Sequence, residues 1–200
     1  MKIDWERTGR ELVFEGRVIE VFRDTVRTRV DGVDREAVYD LVHHPGAAAV
    51  VPLHADGTVS LLYQFRYALG REIREIPAGT LEEGEPFLEC ASRELEEETG
   101  YRAAHWTELA TFHPSPGFCD EELRVFLAED LSEGSGGTEA DEHLETARVP
   151  LTEALDWIEA GRIVDAKSIV GLLRARERLA AEGRWPPPEP EAPGRAGAAE

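Results

Sequence analysis

The chain has only two cysteines, Cys90 and Cys119, among its 200 residues. That is too few for a disulfide framework. Basic residues are also scarce: 22 Lys and Arg stand against 41 Asp and Glu, for a net charge of −19. Nucleic-acid binding rests on neutralising phosphates with Lys and Arg, so this balance argues against that class. It argues equally against docking on an anionic membrane surface. No apolar run reaches the roughly eighteen residues that a membrane span needs. The start, MKIDWERTGR, has no apolar signal-peptide core. The expected location is therefore cytoplasmic. No internal repeat is visible.

Apolar residues make up 42% of the chain, enough for the core of one globular domain with a small addition. Residues 10–40 read as β-strands. Asp31-Gly32 is a hairpin turn signal between two of them. This small N-terminal sheet, expected over residues 1–45, cannot bury much alone and needs a partner surface. His43 and His44 are adjacent, and neighbours in an extended chain point to opposite sides. They read as linker residues. Ala47–Leu53 is a near-continuous apolar run, as in a buried strand. Thr58–Phe65, Trp106–Phe112 and Leu123–Ala128 read as further strands. Thr152 is placed to cap a short helix ending at Gly161, and Asp165 to cap a second. Ile169, Leu172, Leu173 and Leu179 form the apolar side of the second. The main domain is expected over residues 46–182. Residues 183–200, rich in proline, read as a disordered tail. Strands alternating with helices suggest an α/β/α sandwich.

One stretch organises the rest: GTLEEGEPFLECASRELEEETGY, Gly79 to Tyr101. A helix should follow the Gly84-Glu85-Pro86 turn and end at Gly100. Leu88, Ala91 and Leu95 recur at helical spacing and form its expected buried stripe. Cys90 reads as a small packing residue. Glu94, Glu96, Glu97 and Glu98 crowd together beside Arg93. Like charges at such spacing repel, so the helix needs a cation. Glu94 and Glu98 share one face, with Glu97 to the side. Hard carboxylate oxygens suit Mg²⁺, which also binds substrate phosphates. Arg93 can hold Glu97 while Glu85 reaches back from the loop.

The spacing is glycine, five residues, glutamate, seven residues, then Arg-Glu-apolar-any-Glu-Glu-any-Gly-apolar. Gly79, Glu85, Arg93, Glu94, Leu95, Glu97, Glu98, Gly100 and Tyr101 fall on it without a gap. This stretch resembles the Nudix box. Tyr101 is the one loose fit, at a position more often aliphatic. Tyr63-Gln64-Phe65-Arg66, Glu75-Ile76-Pro77-Ala78-Gly79, Pro116 and Gly161–Ser168 resemble the ADP-ribose pyrophosphatase branch of that family.

The resemblance implies the Nudix fold, with a mixed central sheet between helices. It implies metal-dependent hydrolysis of ADP-ribose to AMP and ribose 5-phosphate. The alternatives are another nucleotide sugar, such as GDP-mannose or ADP-glucose, or a non-catalytic ligand sensor. By the same resemblance, Glu94, Glu98 and the Ala78 carbonyl hold Mg²⁺, with Mn²⁺ as a substitute ion. Glu97 serves a second ion. Arg66, Arg35, Pro116 and Glu121 are the expected substrate contacts. Glu142 is the expected loop base, with Glu145 as its rival. A homodimer through the N-terminal strands is expected as well.

Overall fold

The computed structural model describes residues 4–30, 32–134 and 145–188. The chain divides into two compact units. One is Met1–Ala47 with Phe112–Leu123, the other Ala48–Thr111 with Arg124–Glu200.

The first unit is an antiparallel sheet of β1 (Asp4–Glu15), β2 (Glu20–Val30) and β3 (Val33–His43), in that order. The β2–β3 register runs from Val30 opposite Val33 to Glu20 opposite His43, with Gly32 of the predicted hairpin signal in the turn between them. Cross-strand ion pairs reinforce it. Arg29 grips Asp34 at 2.6 and 2.8 Å, and Arg10 grips Asp24 at 2.7 and 2.6 Å. The Arg10 guanidinium also lies 4.4 Å over the Phe22 ring. The two linker histidines make different contacts with one residue. The His43 ring lies 2.8 Å from the Asp120 carboxylate, while His44 reaches it through its backbone N–H at 2.9 Å.

The second unit holds two sheets. The first runs β7 (Ala78–Thr80), β4 (Ala47–Pro52), β9 (Leu123–Glu133), β8 (Tyr101–Phe112). The other runs β10 (Glu145–Pro150), β5 (Thr58–Arg66), β6 (Arg71–Glu75). Among the described residues, three α-helices complete an α/β fold: α1 (Phe87–Thr99), α2 (Leu151–Glu159) and α3 (Ala166–Ala181). Every residue of β4 is buried, as its unbroken apolar run requires. Ala48, Val50, Phe126 and Ala128 from the sheet meet Cys90, Ala91 and Leu95 of α1. On α3, a Cβ at Gly171 would crowd Ile76, Val125 and Val51 at 2.9–3.0 Å. The helix therefore approaches the sheet more closely there than any side chain allows. No described helix is long and apolar enough to cross a membrane.

Four sequence expectations change. Leu88 is 44% exposed, because Phe87, Cys90 and Ala91 fill the places against the core at that end of α1. Thr152 does not cap α2; the helix starts two residues earlier than such a cap would place it, directly after Pro150, with no side-chain cap. Strand β8 begins at Tyr101 rather than Trp106, as soon as Gly100 (φ 73°) ends α1. Finally, packed structure extends past residue 182. Pro187 is buried, and the Pro188 carbonyl sits where a Cβ at Gly57 would be. Proline surrenders little conformational freedom on ordering, which suits it to this packing. Residues 189–200 lie outside the described residues.

His54 supplies a stability prediction. It is buried, its Nε2 lies 2.8 Å from Ser60 Oγ, and its ring meets Tyr101 edge-on at 4.9 Å. Burial, with the nearby Arg148 charge, pushes its pKa down to about 4. Between there and the ordinary value near 6.5, the unfolded chain binds a proton that the fold refuses. Stability should thus be full above pH 6.5 and fall towards pH 4, by at most ~3 kcal/mol. Urea unfolding across that range should show the loss. His54→Gln should flatten the part of the slope between pH 6.5 and 4.

Candidate metal and substrate site

Helix α1 and strand β7 build the site. Arg93 is its organiser. Its Nε and Nη2 each donate to the Glu85 carboxylate at 3.0 Å. Its Nη1 donates to Glu94 Oε1 at 2.6 Å and to Glu97 Oε2 at 3.2 Å. A further bond reaches the Thr80 carbonyl at 3.3 Å. One guanidinium thus ties the loop glutamate to two helix glutamates, as the spacing of Arg93 and Glu97 predicts. The Arg93 hydrogen bonds hold the Glu85 carboxyl down to about 2, against the effect of burial. The same bonds raise the Arg93 pKa further. Cys90 is fully buried beneath them. Burial pushes its thiol up to about 12, so it packs and does not react.

Glu98 faces the core rather than solvent and is 7% exposed. Its Oε2 accepts the Ala78 N–H at 2.9 Å. Beside it, a Cβ on Gly79 would lie 2.6 Å from Glu94 Oε2 and closer still to Oε1 and Cδ. Only a residue without a side chain leaves that carboxylate its seat against the strand. Three carboxylates here share one guanidinium and Glu98 sits on the Ala78 N–H, an acidic, hard-oxygen environment that fits a divalent cation. Among the described residues, no three His, Cys, Asp or Glu side chains are already gathered tightly enough to hold one.

Arg66 ends β5. It makes a two-pronged pair with Glu75 of β6, Nε to Oε1 at 2.6 Å and Nη2 to Oε2 at 2.7 Å. Lys167 of α3 donates to the same carboxylate. Sequence reasoning missed Glu75 and Lys167. A signal existed: Lys167, Gly171, Ala175 and Leu179 recur every fourth residue on the buried face of α3. Glu75 alternates with Ile73 on one face of β6.

Arg35, Pro116 and Glu121 belong to the first unit. Arg35 is exposed opposite Thr28. Pro116 lies in a turn closed by Phe118 and Cys119 N–H groups on the Ser115 carbonyl. The Glu121 carboxylate is 3.8 Å from His44 Nδ1. Glu142 lies outside the described residues. Its rival Glu145 opens β10 opposite Tyr63, which in turn faces Arg74. Leu62 faces Glu75, so alternation puts Glu145 on the sheet face opposite to Glu75.

A NUDIX domain signature matches residues 42–169. The chain belongs to the Nudix family. It is 40% identical over 187 residues to an ADP-ribose pyrophosphatase of Bacillus subtilis (strain 168), covering 91% of this chain and all of that one. It is 38% identical over 147 residues to a GDP-mannose pyrophosphatase of Pectobacterium atrosepticum, covering 69% and 75%. A crystal structure of an ADP compounds hydrolase superposes with a TM-score of 0.76 at 26% identity, covering 90% of this chain and 96% of that one. The chain is a Nudix hydrolase, and its Nudix box is the Arg93-centred assembly described above. Nudix hydrolases generally use a divalent metal, and the oxygen donors of Glu94, Glu97 and Glu98 fit one.

Proposed function

We propose that this Nudix hydrolase cleaves the pyrophosphate bond of ADP-ribose, giving AMP and ribose 5-phosphate, with Mg²⁺ as its metal and Mn²⁺ as a substitute. The supporting observation is the complete Arg93–Glu85–Glu94–Glu97 assembly, with Glu98 on Ala78, in a chain alignable over its relative's whole length. Glu94, Glu98 and the Ala78 carbonyl would hold one ion, and Glu97 would serve a second. When bound, the metal neutralises phosphate oxygens and lowers the pKa of bound water. Arg66 keeps its Nη1 edge for a substrate phosphate while Glu75 holds its other edge. Glu142 orients the attacking water and takes its proton. Arg35, Pro116 and Glu121 are assigned to substrate selection. The two free cysteines suit a reducing, cytoplasmic compartment.

Release of AMP from ADP-ribose with Mg²⁺, and its loss with a chelator, tests this reading. GDP-mannose is the second substrate to assay, given the relative of that name. A tenfold higher kcat/KM on GDP-mannose would reassign the substrate and leave the chemistry standing.

The base assignment makes its own prediction. Glu142→Gln should cut kcat about a hundredfold, the lower range for a general base, with KM little changed. Glu145→Gln should leave kcat within about twofold, because its side chain belongs to the other sheet face. The reverse pattern would move the base to Glu145.

A homodimer through the first unit completes the reading. Trp5 (71% exposed) and Val33 stand out from one face of β1 and β3, and Phe14 and Val38 from the other. Apolar groups of this size exposed on both faces of one small sheet support the assignment of an association surface there. Light scattering should give the mass of two chains, and Trp5→Asp with Phe14→Asp should give that of one. A monomer in the unsubstituted protein would contradict the assignment.

A further inference from the structure

Behind Arg66 lies a set of charged groups of which the roles above use only Glu75. Glu75 is 1% exposed, and both of its oxygens are engaged by Arg66. Lys167, itself only 9% exposed, donates to Glu75 Oε2 and, at 3.0 Å, to Asp165 Oδ2. Asp165 caps α3, accepting the Ser168 N–H at 3.0 Å and its hydroxyl at 2.6 Å. Ser168 Oγ in turn accepts the Ile76 N–H at 2.9 Å. A continuous hydrogen-bonded chain thus runs from Arg66 into the first turn of α3. It returns to the backbone two residues before Ala78.

Burying a lysine is expensive, and a buried ion pair is often no more stable than apolar residues of the same volume. Stability alone does not account for Lys167. Electrostatics does. A guanidinium in a two-pronged pair with one carboxylate is neutralised by it, which weakens its hold on a phosphate. A second cation on that carboxylate restores net positive charge at the pair. Asp165, which also touches Lys167, is offset in part by the N-terminus of α3 that it caps.

We propose that Lys167 is a positioning residue for substrate binding: it shares the Glu75 carboxylate so that Arg66 stays fixed yet keeps its positive charge for a substrate phosphate. This rests on the reading of Arg66 as a phosphate contact. The test is steady-state kinetics on ADP-ribose with Mg²⁺ for Lys167→Met, Lys167→Arg, Arg66→Gln and the double variant Glu75→Gln/Lys167→Met. Lys167→Met should raise KM about tenfold with kcat within about twofold, the signature of lost uniform binding. Lys167→Arg should recover most of the loss. The double variant should bring KM below that of Lys167→Met without fully restoring it, because no buried carboxylate remains to neutralise Arg66 but none remains to fix it in place either. It also serves as the test if Lys167→Met fails to fold. If Arg66→Gln leaves KM unchanged, the phosphate-contact reading fails. If Arg66→Gln raises KM but Lys167→Met lowers only the melting temperature, the Lys167 proposal is overturned. A double variant as impaired as Arg66→Gln overturns it too.

Discussion

Glu98→Gln should lower turnover about a thousandfold and leave the fold intact. The substitution keeps the size of the side chain and its ability to accept the Ala78 N–H, the bond that fixes it at 2.9 Å. What it removes is one negative charge from a buried position next to the proposed carbonyl ligand. A metal held by hard oxygens loses an anionic donor, and several kcal/mol of charge stabilisation in the transition state go with it. At about 1.4 kcal/mol per decade, that is about three decades in kcat. Stability should hold or rise slightly, because Glu94 and Glu98 repel at four-residue spacing. Mg²⁺ titrations of turnover and of melting temperature check both halves. Turnover near the unsubstituted value at saturating Mg²⁺ would remove Glu98 from the metal site.

Glu98 also shows how much of this site can be read from sequence. Its place on the helix face followed from 3.6-residue periodicity, and so did that of Glu94. The reach of Arg93 to Glu97 was a local rule of the same kind. The burial of Glu75 and Lys167 is legible in their periodicity, but their pairing with Arg66 and with each other is not. Glu75 lies nine residues away across a hairpin, and Lys167 lies 92 residues beyond Glu75. A pairing that far apart is settled by how α3 packs on the sheet, which no local pattern encodes. Leu88 fails for a related reason. Its spacing fits the stripe, but Phe87 and Cys90 of the same turn take the places against the core and leave Leu88 at the edge. Residues 183–188 were misread because proline-rich composition reports the lack of a regular ladder, whereas packing against Gly57 needs only a matching surface.

Gly79→Ala should separate the site from the fold more cleanly than any carboxylate change. Gly79 is in β7 and does not use the left-handed backbone that favours glycine. Alanine there costs no backbone strain, and it narrows the unfolded ensemble, which by itself stabilises by ~0.4–1 kcal/mol. The conflict is wholly with Glu94, whose Oε2 would lie 2.6 Å from the new methyl with Oε1 and Cδ nearer. The strand backbone cannot yield without breaking its ladder, but a carboxylate at the end of a flexible side chain can. Glu94 must therefore swing out of its seat and lose its 2.6 Å bond from Arg93. Expected results are a melting temperature within a few degrees of the unsubstituted protein and a kcat reduced about a thousandfold, close to that of Glu94→Gln. The Mg²⁺ concentration needed for half-maximal turnover should rise. Gly84→Ala is the control: φ is 75° there with open space around it. It should cost ~1–2 kcal/mol of stability and leave kcat unchanged. If Gly79→Ala unfolds the protein instead, the glycine serves the fold. If it leaves turnover intact, Glu94 does not need the seat that Gly79 leaves open.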